Sequence, residues 1–117
     1  MNIQIFGKSK CFDTQKALRH FKERRVKYQY VDLLKYGMSK GELGSVRAAV
    51  GGLECLMDKG SKLYEGLNMG RISTASVREE ILLSNPALLV TPIVRNGKKA
   101  TVGYAPDVWK DWERHHY

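Results

Sequence analysis

Cysteine, proline and long apolar runs are all scarce in this sequence of 117 residues. The two cysteines, Cys11 and Cys55, lie far apart in the chain and do not make a disulfide framework. The sequence therefore predicts a reduced, cytoplasmic protein in which each cysteine needs its own explanation. No apolar run reaches the roughly 18–20 residues that span a bilayer. The first apolar run is also too short for a secretory signal, so we expect neither a membrane segment nor a leader.

Positive charge is abundant. The formal net charge is +8, and residues 8–27 hold eight Lys and Arg against two acidic residues. This window is either a solvated helix face or a positive field that attracts anions and stabilises a thiolate, and the sequence leaves both open. No motif that reads DNA or RNA accompanies the charge, so we expect no direct nucleic-acid binding. The length favours a single domain over 1–117, and a monomer is the default expectation.

The first third of the chain alternates strand and helix patterns. The run "NIQIFG" (2–7) alternates in polarity and predicts a strand. Apolar residues at helical spacing from Thr14 predict a helix that ends in the basic cluster 22–27, where cations suit the negative end of the dipole. The run "KYQYVDLL" (27–34) predicts a second strand. A strand–helix–strand unit of this kind places its strands in parallel.

The middle of the chain is predicted to be helical. Ser39 is a plausible N-cap for a helix that runs to Val50 and stops at the glycines 51–52. Residues 53–70 resemble short helical pieces interrupted by glycine. The run "STASVREEILLSNP" then predicts a longer helix, in which Ser76 has capping-box spacing and Ser73 is the alternative cap.

The last third returns to strands. The run "ALLVTPIVRNGKKATVGY" predicts two strands around the turn "NGKK". Pro106 then opens a final helix with Val108, Trp109 and Trp112 on one side. The predicted fold class is α/β: a four-stranded mixed sheet with outer helices, in the thioredoxin arrangement. We expect thioredoxin-like halves at 1–36 and 86–117, separated by a helical insertion at 37–85.

Cys11 lies where the first helix is predicted to begin, after the first strand. Backbone N–H groups at a helix N-terminus are unpaired, and they stabilise a thiolate together with the helix dipole. Lys8 and Lys10 add positive charge nearby. This arrangement produces a nucleophile at neutral pH, although a buried structural cysteine that happens to begin a helix is an open alternative.

Thr91 and Pro92 form the second candidate feature, at the start of a predicted strand. Proline within a sheet requires an edge, a strand start or a special turn. In thioredoxin-like folds the corresponding X–Pro bond is cis and faces the cysteine loop, and the residue before it offers its backbone to a bound peptide, disulfide or glutathione. If the fold is correct, these two residues form the second wall of a site whose first wall is Cys11.

Over nearly its whole length, the chain resembles the arsenate reductase/Spx family. The matching stretches are "CFDTQKAL", "YVDLLKYGMSKGEL", "GSKLYEGLN", "NPALLVTPIV" and "VGYAPDVW". The resemblance implies a thioredoxin-like fold, a nucleophilic cysteine at Cys11 and a helical subdomain packed beside the cysteine loop.

The resemblance also shows where this chain departs from the arsenate reductases, in which three arginines gather around the oxyanion. The matching positions fall in "LMDKGSK", which contains Asp58 but no arginine, at Thr91, and at Ala105. Lysine is a point charge rather than a bidentate fork, so arsenate reduction is expected to be inefficient. The basic residues considered as substitutes are Lys59, Arg95, Lys98 and Lys99.

Spx proteins, the other branch of the family, bind the RNA polymerase alpha subunit and switch through a CxxC disulfide. Thr14 replaces the second cysteine here, so that disulfide cannot form, and the family arginine before Pro92 is missing. Gly52 matches the glycine that contacts the polymerase, although a helix C-cap is the simpler explanation of a glycine there. An Spx-like regulator without catalytic activity is therefore the alternative function.

The favoured prediction is a glutaredoxin-like thiol oxidoreductase that works with glutathione or a glutaredoxin. Cys11 would attack a mixed disulfide, and glutathione would resolve the adduct. Thr14, one helical turn on, is expected to reach the sulfur with its hydroxyl, or else to serve only in packing. The residues expected to bind substrate are Lys8, Lys10, Thr14, Thr91, Pro92 and Arg95.

The sequence predicts no bound cofactor and no metal site, because His20, His115 and His116 do not cluster with the cysteines. Cys55, in "GLECLMD", is expected to be a small hydrophobe in a buried turn of helix. A resolving role for Cys55 would require it to approach Cys11 to disulfide distance.

Overall fold

The structure is a computed structural model that describes residues 1–115, so His116 lies outside the described residues. Its four strands form one mixed sheet in the order β2–β1–β3–β4. The strands are β1 (Ile3–Gly7), β2 (Tyr28–Asp32), β3 (Ile93–Asn96) and β4 (Lys99–Val102). β1 runs parallel to β2, whereas β3 is antiparallel to both β1 and β4. The predicted mixed sheet and its parallel βαβ unit are confirmed.

The helices lie between and after these strands. They are α1 (Phe12–Glu23), α2 (Leu33–Tyr36), α3 (Lys40–Val50), α4 (Lys62–Gly66), α5 (Ala75–Ser84) and α6 (Pro106–Arg114). Short 3-10 turns occupy Glu54–Leu56, Met69–Arg71 and Pro86–Leu88. In the described part of the chain, no helix is long and apolar enough to cross a membrane.

The sheet has a hydrophobic core on each face. Because side chains alternate along a strand, Ile3 and Ile5 point to one face of β1 and Phe6 to the other. The first face packs against α1 and α6, and its buried residues include Ala17, Phe21, Val94, Trp109 and Trp112. The second face packs against the chain between Leu33 and Leu89, with Leu43, Val46, Leu56, Leu82 and Ile93 fully buried there. The sheet therefore holds the end of β1, where Cys11 follows, between two packed layers.

The second strand is shorter than predicted, because Asp32 ends it. The Asp32 carboxylate accepts a hydrogen bond from the Leu34 N–H at 3.0 Å and so caps α2. Leu33 turns into the core, and Leu34 is left 60 % exposed. The last two residues of the predicted strand 27–34 are therefore helical.

The prediction for α3 is confirmed in detail. Ser39 and Glu42 form a reciprocal capping box, in which each side chain accepts a hydrogen bond from the other residue's N–H. The helix ends at Gly51, whose φ of +86° lies in the left-handed region that favours glycine. Gly52 is therefore not the C-cap, although its own φ of +139° also disfavours a side chain.

Two predictions for the later helices were wrong. α5 begins at Ala75, after Thr74, and no side chain caps it, so neither Ser76 nor Ser73 is the N-cap. In α6, Trp109 and Trp112 are buried as predicted, but Val108 is 43 % exposed. The indole N–H of Trp109 donates to the Thr101 hydroxyl at 2.8 Å, so α6 is tied to β4 by a buried polar contact as well as by packing.

Candidate functional site

A cleft of about 580 Å³ opens at the carboxyl end of β1. One wall is the loop between β1 and α1, and the other is the segment that leads from the 3-10 turn at Pro86–Leu88 into β3. The lining residues are Lys8, Ser9, Lys10, Cys11, Leu34, Asp58, Leu89, Val90 and Thr91. Cys11 and Thr91, which the sequence analysis assigned to opposite walls, both line this cleft.

Cys11 is the N-cap of α1 and is half-buried in the cleft. Its backbone is extended, with φ −85° and ψ 120°, and its N–H donates to the Lys8 carbonyl at 3.0 Å. The Sγ lies 3.6 Å from the Thr91 carbonyl oxygen, to which the protonated thiol can donate. This places the sulfur between the first turn of α1 and the second wall.

The surroundings of the sulfur favour its charged form. Burial raises the pKa of the Cys11 thiol, but hydrogen bonds from the side chains of Thr91 and Thr14 and the backbones of Thr14 and Asp13 outweigh it. The net pKa is lower than that of an ordinary cysteine. The causes named for Cys11 are the threonine side chains and the first-turn backbone, while the charge of Lys8 interacts with that of Cys11 in the cleft.

Thr14 connects the sulfur to the end of β1. It is fully buried, and its hydroxyl oxygen accepts a hydrogen bond from the Lys8 N–H at 3.3 Å. A Cβ on Gly7 would lie 2.3 Å from the Thr14 Cγ2, so only glycine allows α1 to approach the strand this closely. Thr14 is therefore part of the packing, and it also contributes to the lowered pKa of Cys11.

The Thr91–Pro92 peptide bond is cis. Thr91 is 8 % exposed, and the Pro92 carbonyl accepts a hydrogen bond from the Gly103 N–H at 2.8 Å. Pro92 is buried behind Thr91 and is not among the residues that line the cleft. The second wall therefore presents Thr91 to the cleft, and Pro92 supports it from behind.

Lys8 holds the two walls together. Its Nζ donates to the carbonyls of Ala87 at 2.9 Å and Leu89 at 2.7 Å. Burial lowers the pKa of Lys8, while the charges of Asp58 and Cys11 act in the opposite direction. Lys10 also lines the cleft but is exposed. Of the two lysines, Lys8 is thus tied to the protein backbone and Lys10 is open to solvent.

The structure does not bring Arg95 into this group. Arg95 pairs with Gln4 near the start of β1, whereas Cys11 follows its end. The guanidinium donates to Gln4 Oε1 at 2.8 Å and to Ser45 Oγ at 3.4 Å, and lies 3.9 Å from the Glu42 carboxylate. Because Arg95 lies near the opposite end of the strand, it cannot serve as a cleft cation from this position.

Asp58 and Leu34 line the cleft but were not predicted as site residues. Asp58 had been noted only for replacing an arginine, and no sequence signal shows that its carboxylate reaches the cleft. Leu34 was assigned to a strand, and only the capping ability of Asp32 could have indicated the helical turn that exposes it. The proposed substitute Lys59 lies 2.6 Å from Glu54 instead, and no arginine is among the described lining residues.

Cys55 is exposed, so the prediction of a buried turn was wrong. Its Sγ lies 4.0 Å from both the Val50 and the Gly52 carbonyl oxygens, and it is not among the residues that line the cleft. Both cysteines are free. Within residues 1–115, no three His, Cys, Asp or Glu side chains are grouped so as to hold a metal ion.

Comparison with known proteins now places the chain. Residues 6–112 match the family model of the ArsC family. The chain belongs to the ArsC family. It is 29 % identical over 110 residues to global transcriptional regulator Spx 2 of Oceanobacillus iheyensis, covering 92 % of this chain and 80 % of that protein. It is 25 % identical over 108 residues to an Spx regulator of Streptococcus agalactiae, covering 90 % and 78 %.

The solved structures agree on the fold of this ArsC-family chain. An arsenate reductase from Vibrio cholerae superposes with a TM-score of 0.86 at 22 % sequence identity, covering 95 % of this chain and 97 % of that one. At this identity the likeness concerns the fold alone. The thioredoxin-like arrangement predicted from the sequence is thus confirmed.

Proposed function

We propose that this ArsC-family protein is a glutaredoxin-like thiol oxidoreductase with Cys11 as its nucleophile and glutathione as its reductant. The observation that carries the proposal is the position of the Cys11 sulfur, at the N-cap of α1 and 3.6 Å from the Thr91 carbonyl. A thiolate at the N-terminus of a helix and open to a cleft is suited to attack a disulfide.

The proposed reaction exchanges disulfides in two steps. The Cys11 thiolate attacks the glutathione sulfur of a mixed disulfide, which forms a Cys11–glutathione disulfide and releases the substrate as a thiolate. A second glutathione thiolate then attacks that glutathionyl sulfur, which releases oxidised glutathione and restores the Cys11 thiolate. In sum, the mixed disulfide and one glutathione thiolate give the substrate thiolate and oxidised glutathione, so no second protein cysteine is needed.

The neighbouring residues have distinct roles in this scheme. Thr14 and the first turn of α1 stabilise the Cys11 thiolate before attack and when it leaves. Thr91 lines the opposite side of the cleft, where its backbone can align the glutathionyl peptide. Lys10 is exposed at the rim and is suited to a glutathione carboxylate, whereas Lys8 positions the wall.

The direct test is reduction of a glutathionylated peptide, with glutathione and glutathione reductase recycling NADPH. The intact protein and Cys55→Ser should turn over at similar rates, and Cys11→Ser should not. Turnover that survives in Cys11→Ser, or its absence in the intact protein, would reject the proposal. Arsenate in place of the disulfide should give little turnover, because Asp58 lines the cleft and none of the described lining residues is an arginine.

The curated relatives favour a second candidate, an Spx-like regulator that binds the RNA polymerase alpha subunit. Each of the relatives described above is a global transcriptional regulator. The end of α3 forms a shallow surface of Gly44, Arg47, Ala48, Gly51 and Gly52, which includes the glycine that matches the family contact.

Capture of the alpha subunit by the purified protein tests this candidate. Ala48→Arg is the better disrupting variant, because Ala48 is exposed on α3 while a side chain at Gly52 would be strained by its φ of +139°. Failure of the intact protein to capture the subunit would end this candidate, as would capture that Ala48→Arg leaves unchanged.

A further inference from the structure

Asp58 is the acidic residue among those that line the Cys11 cleft in the described part of the chain. We infer that Asp58 determines specificity: it favours substrates with a cationic amino group beside the reacting sulfur and disfavours oxyanions. The inference rests on the proposed function and narrows its substrate class.

Backbone contacts fix Asp58 relative to the second wall. Its N–H donates to the Leu88 carbonyl at 2.8 Å, and the Val90 N–H donates to the Leu56 carbonyl at 2.8 Å. Lys8 binds the same segment from the other side through the Ala87 and Leu89 carbonyls. The acid and the cysteine loop are thus attached to one stretch of chain, so Asp58 keeps its place beside the cleft.

Two cations bear on the charge of Asp58: Lys8, whose charge acts on it but whose Nζ donates to backbone carbonyls, and Lys59, its neighbour in sequence. Lys59 lies 2.6 Å from a Glu54 carboxylate oxygen, and Arg78 contacts the other oxygen of Glu54. One Asp58 oxygen accepts the Gly60 N–H at 3.2 Å, and within residues 1–115 the other has no protein donor. That oxygen is available to a donor on a ligand.

A glutathionyl group fits this distribution of charge. Its γ-glutamyl end carries an ammonium that can pair with Asp58 and an α-carboxylate beside it, and its glycyl end carries a second carboxylate; either carboxylate can face exposed Lys10. An oxyanion can also face Lys10, but it has no ammonium for Asp58 and would meet the negative charge of that carboxylate. One residue thus explains both a preference for a thiol that carries an ammonium and poor use of arsenate.

Charge-selective thiol reagents test the field of Asp58 without requiring turnover. The probes are two methanethiosulfonates, one with a trimethylammonium-ethyl group and one with a sulfonatoethyl group. Each transfers its alkylthio group to the Cys11 thiolate, which forms a disulfide and releases methanesulfinate. In a Cys55→Ser background, the ratio of the cationic to the anionic rate constant measures the local charge preference.

Asp58→Asn should lower this ratio about tenfold at low salt, since one charge within the cleft changes each rate about threefold in opposite directions. The asparagine oxygen can still accept the Gly60 N–H, so the turn is retained. The matched control is Glu23→Gln, because Glu23 ends α1 about 18 Å from Cys11, outside the cleft and beyond the Debye length of about 10 Å when the comparison is repeated at 0.1 M salt. A ratio in Asp58→Asn that equals the parent or the control would overturn the inference.

A substrate pair separates this inference from the proposed function. A peptide disulfide of glutathione is compared with the disulfide of its desamino analogue, which lacks the γ-glutamyl ammonium. The intact protein should prefer glutathione about threefold or more in kcat/KM, and Asp58→Asn should lose the preference. Turnover without that preference overturns the role of Asp58 alone. Absence of all turnover contradicts the proposed function. In that case the ratio of the two methanethiosulfonate rate constants still tests whether Asp58 sets the charge preference of the cleft.

Discussion

The two cysteines of this protein differ in surroundings more than in access. Cys55 is the more exposed, and its Sγ lies 4.0 Å from the carbonyl oxygens of Val50 and Gly52, after α3 rather than at the start of an α-helix. Cys11 is half-buried, but helix N–H groups and two threonine side chains lower the pKa of its thiol. Hydrogen-bond donors around the sulfur therefore matter more for thiolate chemistry than solvent exposure does.

Replacing each cysteine in turn should give the largest difference in activity. Cys11→Ser should reduce exchange with a glutathionylated peptide by about three orders of magnitude or more, because a serine hydroxyl is not ionised at neutral pH. Cys55→Ser should leave the rate within about twofold of the parent, since Cys55 lies outside the cleft. Coupled NADPH oxidation measures both rates. A comparable loss in Cys55→Ser would show that the second thiol resolves the adduct.

The close approach of α1 to β1 supplies the next contrast. Gly7→Ala should destabilise the fold by about 1–3 kcal/mol, because the added methyl would overlap Thr14 and push α1 away. Cys11 should then react more slowly with iodoacetamide, while Cys55 is unchanged. Chemical denaturation measures the free energy of unfolding, and peptide mass spectrometry follows each cysteine separately.

Gly44→Ala is the matched control for this substitution. Gly44 lies inside α3 with nothing within 4 Å of an added Cβ, so alanine should stabilise the protein by about 0.5–1 kcal/mol. Equal effects at Gly7 and Gly44 would contradict the packing argument.

The part of the site that the sequence revealed was local. Cys11 at the start of α1 was recognisable from the strand pattern before it and the helical spacing after it. Thr91 and Pro92 were recognised because a proline at a strand start is unusual and the family supplies its place in the fold. Their meeting across the cleft follows from the order of the strands, which the βαβ pattern and the hairpin made predictable.

The features of the site that the sequence did not reveal depend on tertiary contacts and local turns. Arg95 is near Pro92 in the chain, yet antiparallel pairing carries it to Gln4 at the other end of β1. Asp58 enters the cleft because the irregular segment after α3 is bonded to Leu88, a tertiary contact without a sequence signal. Cys55 seemed apolar by its neighbours, but a 3-10 turn exposes it while Leu56 takes the buried position.

Replacing Thr14 should have an intermediate effect on the difference in reactivity between Cys11 and Cys55. Thr14→Val keeps the shape but removes a donor to the sulfur, so the pKa of Cys11 should rise toward that of an ordinary thiol, about 8.5. It also leaves the Lys8 N–H without its acceptor, which costs about 1–3 kcal/mol. The pH dependence of iodoacetamide labelling should shift upward at Cys11 and stay unchanged at Cys55.

The rate of Cys11 labelling should rise with pH, because the thiolate is the reactive form. In the parent protein the Cys11 pKa is lowered, so its labelling rate should reach half of its maximum at a lower pH than that of an ordinary cysteine thiol. As pH falls through that midpoint, the thiol becomes protonated and the rate declines. A midpoint at or above the ordinary value would remove the main support for Cys11 as a nucleophile.

The smallest effect is expected at Lys10, and it distinguishes the two interpretations of the basic window. If the positive field created the thiolate, Lys10→Gln would slow Cys11 labelling markedly and salt would do the same. The groups that lower the Cys11 pKa are hydrogen-bond donors, and Lys10 is exposed, where its charge is screened. We therefore expect less than about a twofold change with a neutral reagent such as iodoacetamide. A much larger change that 1 M salt abolishes would assign the reactivity of Cys11 to the surface cations instead of the helix end.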